Sequence, residues 1–198
     1  MKTRLLLWGL ALSALASLIP GCDDDKPCAT CPEPDPAVVV ALDYIDAHRA
    51  ELGLRDGVDQ MIPYRVQRDE LGMTHVRCYQ YYRGVRVEGG ELIVHLSAAL
   101  EVLSVSDGVI RDVLVDVKPN VSALQAARFA EDHFWIDGYC TRLEGAIEKV
   151  VFRWLDIDHL CWVMVFRATD GIEMRKYFVD AHSCEIVHWR SLIIEWSG

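Results

Sequence analysis

Residues 69–95 read Asp69-Glu-Leu-Gly-Met-Thr-His-Val-Arg-Cys-Tyr-Gln-Tyr-Tyr-Arg-Gly-Val-Arg-Val-Glu-Gly-Gly-Glu-Leu-Ile-Val-His95. Apolar and polar side chains alternate along His75–Tyr82 and again along Glu91–Leu96, where Leu92, Val94 and Leu96 share one face. A period of two marks a half-buried strand. Leu71-Gly72, Arg83-Gly84 and Gly89-Gly90 stand at the ends of these runs as turn signals. Runs this close together must pair antiparallel, because parallel neighbours need a crossover of about a dozen residues or more.

The same alternation extends outward to Tyr64–Arg68, Glu101–Ser106 and Val113–Val117, with Asp107-Gly108 as a further turn signal. Upstream, Val38, Leu42, Ile45 and Leu52 recur at helical spacing and predict a helix over 37–52. Asp35 stands where an N-cap belongs, Pro36 in the first turn, and Gly53 at the stop. Downstream, Lys118-Pro119-Asn120 breaks the strand pattern. Ser122 then caps a second helix whose buried face is Ala123, Ala126, Ala127, Ala130 and Phe134. Strands are expected at Ile147–Leu155, Leu160–Ala168, Glu173–Asp180 and Glu185–Trp189, linked by Thr169-Asp170-Gly171 and Ala181-His182-Ser183. Helix, strands, helix, strands is an α+β order: two consecutive helix-plus-antiparallel-sheet subdomains, 37–119 and 120–198. Units this small have marginal cores, so the two are expected to pack together, helped by six tryptophans.

The chain carries 20 Lys plus Arg against 30 Asp plus Glu among 198 residues, a net charge of −10. That balance argues against nucleic acid as a partner, since phosphate binding needs a cationic surface. Lys2 and Arg4, the apolar run Leu5–Leu18 and the small residues before Cys22 make 1–21 an export signal. Leu18-Ile19-Pro20-Gly21-Cys22 resembles a bacterial lipobox, which implies acylation of Cys22 and tethering to the cell envelope, inner or outer membrane undetermined. Residues 22–36 are an acidic, proline-rich linker. Cys28-Ala-Thr-Cys31 within it lacks the strand–helix context of a redox pair and the second ligand pair of a zinc site; a local disulfide or two inert thiols is the expectation. No pairing follows for Cys78, Cys140, Cys161 and Cys184.

Within the opening stretch, Gly72, His75, Arg77, Gln80, Gly84, Val87, Gly89, Gly90 and His95 fall in register with G-x-x-H-x-R-x-x-Q-x-x-x-G-x-x-V-x-G-(G/A)-x-x-x-x-H. That pattern resembles the fungalysin/thermolysin propeptide motif, with Cys78 where the family has a tyrosine or similar large residue. Leu160-Cys-Trp-Val-Met-Val-Phe166 and Lys176-Tyr-Phe-Val-Asp-Ala-His-Ser-Cys-Glu-Ile-Val187 resemble a PepSY-type second half, with Ser183-Cys184 in place of Thr-Gly. The resemblance implies a module that assists folding of a thermolysin-like catalytic domain and blocks its cleft.

The catalytic machinery of such a protease needs two histidines one helical turn apart with a glutamate between them. No His-Glu-x-x-His occurs, and none of His48, His75, His95, His133, His159, His182 and His188 has a partner four residues on. The expectation is a propeptide-like module standing alone: no enzyme, no cofactor, no catalytic residue, no metal ligand. His75 and His95 with Arg77 are weighed as a metal or acid–base site against a structural role, bonding turn backbone and a neighbouring strand, and the structural role is favoured. His182 and His188 flank the last strand too far apart to share a ligand; Glu88 and Glu91 suit a solvated hairpin tip; Tyr79, Tyr81 and Tyr82 suit the core. The expected partner is a secreted thermolysin-like metallopeptidase, bound, inhibited or helped to fold. The alternative is an envelope-anchored binding or sensor module with no peptidase partner.

Overall fold

The computed structural model describes residues 33–192 except 137, 139 and 172. The export signal, Cys22, Cys28 and Cys31 lie outside the described residues. Helix α1 is Pro36–Ala47, followed by β1 (Asp59–Arg68), β2 (Thr74–Tyr82), β3 (Val85–Leu96) and β4 (Val102–Gly108). Helix α2 is Ala123–Ile136, followed by β5 (Thr141–Trp154), β6 (Ile157–Ala168), β7 (Met174–Asp180) and β8 (Ile186–Ser191). The α+β class expected from the sequence is the class observed.

Both helices start where the sequence places a cap. The Asp35 carboxylate accepts from the Ala37 amide at 3.0 Å. Ser122 and Gln125 form a reciprocal capping box: Ser122 Oγ accepts from the Gln125 amide and Gln125 Oε1 accepts from the Ser122 amide. Helix α1 ends five residues before the expected Leu52. There the Arg49 guanidinium turns back to Asp56 and to the Arg55 and Asp59 carbonyls, which draws the chain toward the start of β1.

All eight strands join one sheet in the order β1-β2-β3-β5-β6-β7-β8, with β4 also paired to β3. Every pairing is antiparallel but one. Strands β3 and β5 run parallel through Arg86↔Val150 and Val87↔Val151, and this short ladder joins the two halves. The expected link at Gly89-Gly90 is therefore corrected: both glycines lie inside β3, not between strands. Tyr79 pairs with Glu91 and Tyr81 with Arg86, so Val87–Gly90 bulge out opposite Gln80 alone. Glycine is required there. Gly89 has φ +82°, and a Cβ on Gly90 would stand 2.6 Å from Gln80 Oε1.

Both helices lie on one face of the sheet. α1 packs Ala37, Ala41 and Ile45 against Val76, Cys78, Leu92, Val94 and Leu96. α2 packs Ala126, Ala130 and Phe134 against Met164, Phe166, Ala168, Tyr177 and Val179. Val113–Val117 is not a strand, as its alternation had suggested. It is an extended segment on the same face, where Val113 is buried with Tyr82, Val85, Val87, Val151 and Leu160 over the β3–β5 join. Its backbone is satisfied by side chains: Arg55 donates to the Val113 carbonyl and Asp158 accepts from the Leu114 amide. Cys78, Cys140, Cys161 and Cys184 are free thiols, the first and third buried. Cys184 takes the left-handed conformation (φ +68°) that favours glycine, and the β7–β8 turn is held by Asp180, which accepts from the His182 and Ser183 amides.

Candidate functional site

The opposite face of the sheet bears neither described helix, and strand register decides what it presents. In the first half it shows His75, Arg77, Tyr79 and Tyr81 from β2 beside His95, Ile93, Glu91 and Arg86 from β3. The nine motif residues divide accordingly. Gln80 and Val87 are buried on the helix side, and Gly72, Gly84 and Gly89 hold positive φ in turns or the bulge. Gln80 binds the Ile110 amide and carbonyl, both at 2.9 Å, and so fills the hollow of the bulge. Only His75, Arg77 and His95 reach the free face.

His75 and His95 are direct cross-strand partners, with their Nδ1 atoms 2.7 Å apart. His75 Nε2 donates to Asp69 at 3.2 Å, and His95 Nε2 meets Ser106 Oγ at 2.9 Å. The pair thus spans the β1–β2 turn, β2, β3 and β4. The turn contact is to the Asp69 side chain, where backbone was expected. Burial, then the neighbouring His75 and Arg77, pull the His95 pKa below its ordinary value.

One step along the face, Glu91 accepts from Tyr64 Oη at 2.5 Å and from Arg77 at 3.0 Å. The Tyr64 bond, then Arg77, hold the Glu91 carboxyl down despite its partial burial. The same bond, then burial, pushes the Tyr64 phenol up to about 12. Tyr64 stacks on Tyr79 at a centroid distance of 3.7 Å. These rings, Tyr81, Arg86, Glu148 and Lys149 line an open groove of about 520 Å³ where β3 begins beside β5. Tyr79 and Tyr81 are thereby corrected from core to groove; Tyr82 is core, 1% exposed.

Glu88 is likewise corrected. It is no solvated tip residue: Arg86 lies 2.9 Å away and Lys176, from β7, closes on its other oxygen. Burial pushes its carboxyl up, but Lys176 and Arg86 outweigh that and hold it below the usual range. Arg86 also binds Glu148 at 3.0 Å, so this network ties the two halves together. Sequence reading missed Tyr64, Arg86, Glu148 and Lys176; alternation gave their face but no pattern gave their partners. His182 and His188 form no joint site: His182 meets the Lys118 carbonyl, and His188 lies within β8 stacked on Trp154 at 4.1 Å.

Among the described residues, no group of three or more His, Cys, Asp or Glu side chains is placed to hold a metal ion. On this face Ser106 Oγ lies 2.9 Å from His95 Nε2, and the Asp69 carboxylate bonds His75, which in turn meets His95. The tyrosines, paired charges and open groove of this face suit binding to a protein surface.

Residues 59–109, from the start of β1 to just beyond β4, match the Fungalysin/Thermolysin Propeptide Motif. None of the curated proteins compared matches the chain. Among solved structures, the Bacillus megaterium YpeB C-terminal domain aligns at 15% identity over 80% of this chain and 64% of that one, with a TM-score of 0.38. The chain thus spans just under two thirds of that relative.

Proposed function

We propose that this protein is a propeptide-like module that docks onto a thermolysin-like zinc metallopeptidase, blocking its cleft, assisting its folding, or both. The observation that carries the reading is the propeptide motif over residues 59–109. The side chains support it in two ways. Most motif residues build the β3 bulge and its turns, which shape the sheet, while His75, Arg77 and His95 stand on the face that bears neither described helix. Beside them the tyrosine-lined groove offers large, stiff contact surface at low entropic cost, which suits a docking interface.

The chain would act in trans, held at the envelope by an acylated Cys22 and reaching its partner through the 22–36 linker. A separate inhibitor must overcome several kcal/mol of lost translational freedom, about 4–15 by current reckonings, and tethering beside an exported partner lowers that cost. A typical stable interface of roughly 1,600 Å² would then hold without a covalent link.

The test is to mix the full-length protein with a thermolysin-like peptidase and follow peptide cleavage, and separately to refold the denatured peptidase in its presence. Slower cleavage or a higher refolded yield is expected. A peptidase whose rate and yield are both unchanged would refute the reading.

A further inference from the structure

We propose that His75 and His95 form a two-imidazole binding site for a divalent transition-metal ion of the zinc type. The two residues face each other across β2 and β3, with Nδ1 atoms 2.7 Å apart. Both outer nitrogens are already held, His75 Nε2 by Asp69 Oδ2 and His95 Nε2 by Ser106 Oγ. A carboxylate only accepts, so neutral His75 keeps its proton on Nε2 and presents a bare Nδ1 to its neighbour. His95 then donates its Nδ1 proton across the gap. When that proton moves to His95 Nε2, the Ser106 oxygen accepts it, and two Nδ1 lone pairs converge on one point. The tautomer shift leaves the proton count unchanged, and the metal takes the place of the proton between the rings.

A carboxylate behind one imidazole and a hydroxyl behind the other is the outer arrangement that orients metal-binding histidines and raises their basicity. The geometry is close to what is needed. Two Zn–N bonds of about 2.0–2.1 Å at a tetrahedral angle set the nitrogens about 3.3 Å apart, so the rings need part by only about 0.6 Å. His75 is partly exposed at 20%, which leaves the remaining positions open to water. Nearby charge does not forbid a cation: Arg77 is matched by Glu91, and Asp69 lies against His75 while Arg65 projects from β1. Imidazole nitrogen selects zinc, copper or nickel, whereas magnesium and calcium require oxygen ligands. This site is independent of the docking reading, and it needs no peptidase to be observed.

The experiment titrates zinc chloride into the full-length protein at pH 7.5 by calorimetry, alongside His75→Gln, His95→Gln and Asp69→Asn, while NMR follows the histidine ring protons. Other thiols and imidazoles bind zinc in all four proteins, so the difference is the readout. The wild type should take up one equivalent more than either glutamine variant. Asp69→Asn should weaken that equivalent about tenfold. The ring signals of His75 and His95 should shift together with zinc and stay still with magnesium chloride. Equal uptake by the wild type and both glutamine variants, with those ring signals unmoved, would overturn the proposal and leave a hydrogen-bonded pair only. Circular dichroism of each variant separates lost binding from lost fold.

Discussion

The two halves of the sheet are built alike on the helix side and differently on the other. On the helix side each lays one amphipathic helix across antiparallel strands, and each buries valine, leucine or aromatic side chains beneath it. On the free face the second half closes on itself: Val150, Cys161, Val163 and Phe178 are at most 5% exposed, covered by Phe152 and Val187. Phe152 stacks on Phe178 at 4.1 Å, and Trp154 stacks on His188. The first half leaves that face to histidines, arginines and tyrosines, several of them held in cross-strand pairs. The contrast teaches that one face of one sheet can be a second core at one end and a recognition surface at the other.

Truncation should expose that difference most sharply. Phe178→Ala empties a buried site and should cost about 3–5 kcal/mol, whereas Tyr81→Ala in the groove should stay within about 1 kcal/mol. Urea unfolding of both variants measures it, and similar losses would erase the distinction.

The two bulges give the next contrast. Gly90→Ala drives a Cβ into Gln80, which then loses its bonds to Ile110; about 3 kcal/mol is expected. Strand β5 has its own irregularity between Glu144 and Glu148, where Gly145 has φ +71° but open space around it. Gly145→Ala should cost only the backbone strain, about 1–2 kcal/mol. Melting curves of the pair decide it.

The join between the halves ranks lower. Lys176→Met strips Glu88 of one of two cations while Arg86 remains, so a loss of about 1–2 kcal/mol is expected, together with faster amide exchange in β3 near Arg86. An unchanged exchange pattern would mean that the Glu88–Lys176 pair adds nothing to the join.

Acid should act in two windows. Burial, then Arg190, hold the His188 pKa below 6.5, so the unfolded chain binds that proton more readily. Its contribution is present above about pH 6.5 and is lost as pH falls toward the folded value. Asp59, Asp158 and Asp180 are buried, which alone would raise them, but Arg55, Arg153 and His159 respectively hold each below its ordinary value. Their contribution is present above about pH 4 and is lost as pH falls through the lowered values. Unfolding free energy against pH should therefore drop in two steps; His95, also held below its ordinary value, adds to the upper one, and His188→Gln should shrink that step without abolishing it.

Much of this was legible because it is local. Asp35-Pro36, Ser122 and Arg83-Gly84 each act within a few residues, and each lies where the sequence reading set it. Gly89-Gly90 misled because a turn and a bulge ask the same thing of the backbone, a glycine at positive φ. Val113–Val117 misled because a half-buried extended segment alternates like a strand even when side chains satisfy its backbone. The parallel join and the Glu88–Lys176 pair were beyond reach, since they unite segments about 60 to 90 residues apart that carry no mutual pattern. The free-face histidines were singled out, but their close edge-on approach depends on register, which a bulge can shift.

The central claim is that the first half's free face is the docking surface. Inhibition of a thermolysin-like peptidase by the wild type, Tyr81→Glu and Trp189→Asp tests it most directly, since Tyr81 lines the groove and Trp189 lies on the helix side against Arg175. The prediction is at least tenfold weaker inhibition by Tyr81→Glu, about 1.4 kcal/mol, with Trp189→Asp unchanged. Equal inhibition by all three, or loss with Trp189→Asp alone, would contradict it.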